Sequence, residues 1–99
     1  MGSGYIGILS AELHLPENHS LKGKRKELLS VKAQLQRRFG ASVAEVDHHD
    51  LWQRSALAMA CSAREMGELH ELLDGVDRWL YGQDWVVTRV DRRIVSLED

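Results

Sequence analysis

The sequence predicts an α+β fold: one four-stranded antiparallel sheet with two helices on a single face, in the order β-α-β-β-α-β. Three observations carry this. Two long segments repeat apolar residues at helical spacing, four others alternate or nearly alternate, and Pro16, Gly40 and Gly82 stand where segments must stop. The order is the split βαβ, or ferredoxin-like, arrangement. Right-handed crossovers then make the first and third strands central and the second and fourth the edges.

Residues 5–15 open the chain as a strand. Tyr5, Leu9, Ala11, Leu13 and Leu15 share one face, and Ile6, Ile8, Ser10, Glu12 and His14 share the other. Pro16 ends the pairing and Glu17-Asn18-His19 form a loop. Ser20 is an N-cap for a helix reaching Phe39, with Leu21, Leu28, Val31, Leu35 and Phe39 as its core stripe and Gly40 as its stop. A second strand covers residues 42–48, the polar run Asp47-His48-His49-Asp50 turns, and a third strand covers residues 54–62. In the third strand Leu57, Met59 and Cys61 face one way and Ala56, Ala58 and Ala60 the other. A second helix runs over residues 64–81, capped by Ser62 and lined by Met66, Leu69, Leu72, Leu73, Val76 and Leu80. Gly75 inside it costs on the order of 1 kcal/mol against alanine. The last strand takes residues 85–96, with Val86, Thr88 and Val90 alternating with Val87, Arg89 and Asp91.

Ninety-nine residues fit one domain, 1–99, burying roughly 65% of the surface of the unfolded chain. No apolar run approaches the ~20 residues of a membrane span, and no hydrophobic signal region follows the N-terminus. A single cysteine, Cys61, excludes an internal disulfide and any multi-cysteine metal site, which fits a reducing cytoplasm. Residues 1–4 carry no argument.

The net charge of −2 hides a strong asymmetry. Residues 21–39 hold Lys22, Lys24, Arg25, Lys26, Lys32, Arg37 and Arg38 against Glu27 alone, whereas residues 64–81 carry five acids against Arg64 and Arg78. Four of those cations crowd the first two turns of the first helix, where the macrodipole makes each cost about 0.3–1 kcal/mol. A docked anion would offset this, because unpaired backbone N–H groups point outward there. Solvated, snorkelling lysines are the alternative reading.

Asp47-His48-His49-Asp50 could ligate a divalent ion or supply acid–base chemistry. Adjacent histidines on an extended chain point apart, however, and no nucleophile or oxyanion motif accompanies them. A structural turn with Trp52 packed over the sheet edge is the simpler expectation. The outer sheet face offers Ile6, Ile8, Ala56, Ala58 and Ala60, without the aromatics of an RNA-recognition motif. Nor is there a C-x-x-C for metal delivery or a Gly-rich anion loop after the first strand. This flat apolar face is instead a candidate homodimer or partner interface, with edge-strand pairing as another route.

Ser20-Leu21-Lys22-Gly23-Lys24-Arg25 after His14-Leu15-Pro16, followed by Ser42-Val43-Ala44-Glu45-Val46 and Asp50-Leu51-Trp52-Gln53-Arg54, resembles the bacterial YlxP-like family. The likeness extends over nearly the whole chain, including the charged segment 89–99. It implies a ferredoxin-like fold, a cytoplasmic protein and a role near translation, since such genes commonly neighbour those for translation initiation and ribosome maturation. By position it points to Lys22, Lys24 and Arg25, and to Asp50, Gln53 and Arg54. Gly23 stands where many relatives carry an acidic residue.

The expectation is a non-enzymatic accessory protein that needs no cofactor or metal and binds structured RNA or a ribosomal subunit. Lys22, Lys24, Arg25 and Lys26 would meet phosphates while Asp50, Gln53 and Arg54 add more selective contacts. The alternatives are a homo-oligomeric interaction module using the apolar sheet face, and a metal-binding or hydrolytic protein centred on residues 47–50.

Overall fold

The computed structural model describes residues 3–97; the last two residues of the charged C-terminal segment, 98–99, lie outside them. Its elements are β1 (Tyr5–His14), α1 (Leu21–Phe39), β2 (Ser42–Asp47), β3 (Arg54–Ala63), α2 (Met66–Tyr81) and β4 (Val86–Ser96). They form one antiparallel sheet of order β2-β3-β1-β4, the ferredoxin-like topology, with β1 and β3 central as the sequence predicts.

Alternation along β1 sends Leu9, Ala11 and Leu13 into the core, where they meet Leu57, Met59 and Cys61 of β3. Leu28, Val31 and Leu35 of α1 and Leu69, Leu73, Val76 and Leu80 of α2 cover that face. Each such side chain contributes about 1.5–3 kcal/mol by leaving water. Trp85 closes one end, its indole N–H donating to the Leu80 carbonyl at 2.9 Å and its ring meeting Trp79 edge-on.

The helix ends follow local chemistry. Ser20 caps α1, its hydroxyl accepting the Gly23 N–H at 2.9 Å. Gly40 ends the helix in the left-handed conformation (φ 65°), with Ala41 N–H reaching back to Leu35. At α2 the expected Ser62 cap is not used. Ser62 belongs to β3, opposite Ile6, and the helix starts four residues later at Met66, after Glu65, whose side chain makes no capping bond. The sheet ladder claims Ser62 first.

The fourth strand also departs from simple alternation. Leu13 pairs with Val87 but Glu12 with Arg89, so Thr88 is an extra residue, its hydroxyl donating to the Glu12 carbonyl. The bulge changes the phase of the pleat. Val87 faces the core on one side of it, Val90 and Ile94 on the other. A second irregularity between Glu45 and Asp47 leaves Glu45 opposite Leu57, on the core-facing side of the edge strand.

Candidate nucleic-acid interface

The turn between β2 and β3 begins at His48, which takes a left-handed φ of 63° and so ends β2 one residue earlier than its sequence pattern suggests. Asp47 accepts the His48 N–H at 2.7 Å, and Leu51 N–H returns to the His48 carbonyl at 3.0 Å. Carbonyls of this turn point inward, towards the first turns of α1. There they meet Lys24.

Lys24 is 1% exposed, which corrects its expected role as a phosphate contact. Its position explains why: 24, 28, 31 and 35 lie on one helical stripe, and the last three are core residues. The stem lies among apolar side chains and the ammonium reaches the β2–β3 turn. Its three N–H donors meet the His48 and Leu51 carbonyls, each at 2.7 Å, and the Glu45 carboxylate at 3.0 Å. The carbonyls of His49 and Arg54 stand at 3.3 Å.

The same Glu45 oxygen accepts the buried Ser55 hydroxyl at 2.6 Å. Burial pulls the Glu45 carboxyl towards its neutral form, but hydrogen bonds from Ser55 and Lys24 and the Lys24 charge outweigh it, leaving its pKa below the usual 4.5. The sign for stability follows. A depressed carboxyl stabilises the fold above its unfolded pKa, and that contribution disappears as pH falls through the folded value. Urea midpoints of the native chain and Glu45→Gln should therefore differ most at pH 7 and converge as pH drops below about 4.5. A pH-independent gap would refute the linkage.

The two motifs singled out from the sequence are thus one structure. Asn18 donates to the carbonyls of Ser20 and Trp52. Gln53 donates to those of Pro16 and Asn18, and Leu15 N–H donates to the Gln53 carbonyl at 2.8 Å. Gly23 fits against Asn18: a Cβ there would stand 2.6 Å from the Asn18 side-chain oxygen. Gln53 is consequently half-buried and spent on backbone, whereas Asp50 and Arg54 are exposed. Trp52, expected over the sheet edge, is 49% exposed and is not among the side chains packed against the core.

Lys22, Arg25 and Lys26 are exposed, as are Arg37 and Arg38 near the helix end. Lys22, Arg25, Lys26 and Arg37 fall on the outward side of α1, a row about 22 Å long at 1.5 Å per residue, while Lys32 is half-buried on the flank of the helix that faces β2. Glu27, the one acid in the helix, lies off that row and lines a small depression with Asp84. Burial and the Asp84 charge raise its pKa.

The outer sheet face is less apolar than its own alternation suggests. Ile8 pairs with Ala60 on one side and Arg93 on the other, and Ser10 with Ala58 and Asp91. Ile6, Ile8 and Ala58 are half-buried, and Ala56, at 7% exposure, has almost no surface to offer a partner. The two neighbouring histidines diverge: the His48 ring meets Glu12 at 3.0 Å, and the His49 ring meets the Glu45 carbonyl at 3.1 Å. Among the described residues, no group of three or more acidic, histidine or cysteine side chains converges on a metal position. Cys61 is buried, which raises its thiol pKa. No described helix is long and apolar enough to cross a membrane.

Fold and site together define a small ferredoxin-like domain whose β2–β3 turn is clasped by a buried lysine beside a cationic helix. The family described as "Protein of unknown function (DUF503)" matches residues 6–93, and the chain belongs to that family. It is 33% identical over 55 residues to the "Uncharacterized protein YlxP" of Bacillus subtilis (strain 168). That alignment covers 56% of this chain and 60% of the relative. Among solved structures, the de novo designed protein Foldit4 superposes with a TM-score of 0.58, covering 97% of this chain and 98% of its own at 8% identity. That likeness concerns the fold alone. A putative antibiotic biosynthesis monooxygenase from Bacillus cereus gives a TM-score of 0.48 at 11% identity, covering 99% of this chain and 96% of that one.

Proposed function

We propose that this is a non-enzymatic cytoplasmic accessory protein that binds ribosomal RNA or a ribosomal particle through the outward face of α1. The carrying observation is the outward row of Lys22, Arg25, Lys26 and Arg37, with no acid in the first turn and Glu27 turned aside. Such a row suits the regularly spaced phosphates of structured RNA and would make affinity strongly salt-dependent. The acids exposed along α2 and just before it, Glu65, Glu68, Glu71 and Asp74, would repel the same polyanion and so set its orientation. Against catalysis stand the divergence of His48 and His49 and the engagement of both rings.

The test is co-sedimentation with purified ribosomal subunits over a salt series, beside a Lys22→Ala/Arg25→Ala/Lys26→Ala variant that leaves Lys24 in place. Three lost phosphate contacts should weaken binding and flatten the log–log salt slope by about 2–3. Unchanged affinity and slope would overturn the reading.

A further inference from the structure

We propose that Trp52 is a base-stacking residue, receiving an unpaired nucleobase of the RNA whose phosphates lie on α1. This rests on the RNA reading above and adds the partner's class: structured RNA with a bulged or looped-out nucleotide.

Exposed tryptophan on a mobile loop would mean little. Here the loop is fastened at successive residues to other parts of the fold. The carbonyls of Leu51, Trp52 and Gln53, three in succession, accept from Lys24, Asn18 and the Leu15 amide. The Gln53 side chain adds bonds to Pro16 and Asn18. Backbone order is therefore already secured before any ligand arrives, while the indole stays 49% exposed. The other two tryptophans, Trp79 and Trp85, pack against each other and the core. A half-exposed aromatic side chain carried on an ordered backbone suits base stacking, because little backbone entropy is left to lose on binding.

Its surroundings select nucleic acid. Asn18 ties residue 52 to Ser20, so Lys22, Arg25 and Lys26 begin within the next two turns, about 9 Å of helix rise from the cap. Exposed Arg54 and Asp50 flank Trp52 on the same turn, the first suited to phosphate and the second to accepting from base amino or ribose hydroxyl groups. The outer sheet face, where this fold often stacks bases, pairs Ile8 with Ala60 and Ser10 with Ala58. The stacking residue thus lies at the end of the molecule, off the sheet.

The experiment titrates the full chain, by intrinsic tryptophan fluorescence and by anisotropy of labelled RNA, with a short mixed-sequence single strand and with a blunt duplex of equal length. Trp52→Ala, Trp52→Phe and the three-residue α1 variant run beside it, with thermal midpoints confirming the fold. The single strand should quench native fluorescence. Trp52→Ala should lose roughly ten-fold in affinity for the single strand and little for the duplex, and Trp52→Phe should recover most of the loss. If the α1 variant loses binding while Trp52→Ala binds both RNAs as the native chain does, stacking is overturned and the cationic reading stands. No RNA binding by the native chain overturns both. Self-association that vanishes in Trp52→Ala, with RNA affinity unchanged, would give the indole to a protein contact and also overturn stacking.

Discussion

Lys24→Met is expected to destabilise the fold by about 3–5 kcal/mol, the usual cost of removing one partner from a buried ion pair. Methionine reproduces the apolar stem but supplies no donor. The Glu45 carboxylate, 13% exposed, would keep Ser55 alone, and the His48 and Leu51 carbonyls would lose bonds of 2.7 Å. Lys24→Arg should also destabilise, by less. A planar guanidinium cannot place its donors on acceptors arranged around a single ammonium nitrogen. Urea unfolding measures both, and amide exchange should show protection falling first over residues 48–54. A Lys24→Met midpoint equal to the native one would mean the ammonium contributes nothing net.

Gly7→Ala should cost about 1–3 kcal/mol, although alanine is no worse than glycine in a strand. Gly7 occupies the core side of β1 between Tyr5 and Leu9, beneath α2. A Cβ there would stand 2.6 Å from Leu73 Cδ1 and 3.0 Å from Leu69 Cδ1. Both leucines are 1% exposed or less, so neither can swing aside. The helix must lift or the leucines must leave their rotamers, and either loosens the contact of α2 with the sheet centre. A thermal midpoint at or above the native value would show that α2 adjusts at no cost.

Most of the fold could be read from the chain because pattern and punctuation agree: period-two runs, two helical stripes, Ser20 and Gly40. Where the reading failed, a tertiary contact overrode a local signal. Ser62 looks like a cap but is taken by the β1–β3 ladder. The bulge at Thr88 depends on how β4 lies against β1, which Val-Val-Thr-Arg-Val does not reveal. Lys24 is the instructive case for the site. Surrounded by Lys22, Arg25 and Lys26, it has the composition of a solvated basic patch. Its spacing of four, seven and eleven residues from Leu28, Val31 and Leu35 was the available sign of burial. The carbonyls that make such burial tolerable come from a turn over twenty residues away, beyond any local window. Both motifs stand out in the sequence as separate stretches; what it does not reveal is that Lys24 and Gln53 join them, each bonded to backbone carbonyls of the other segment.

The irregular edge strand has a consequence for colloidal behaviour. β4 is eleven residues long and has a hydrogen-bonded neighbour, β1, on one side only. An edge of that length is ordinarily a template for adding a foreign strand and seeding aggregates. Here the extra residue at Thr88 twists the strand, and Arg89, Asp91, Arg92 and Arg93 follow it closely, all exposed. An incoming strand would have to accommodate the kink and place its own side chains beside four charges. The segment that looks least regular in the sheet is therefore the one that makes its longest open edge a poor template for a further strand.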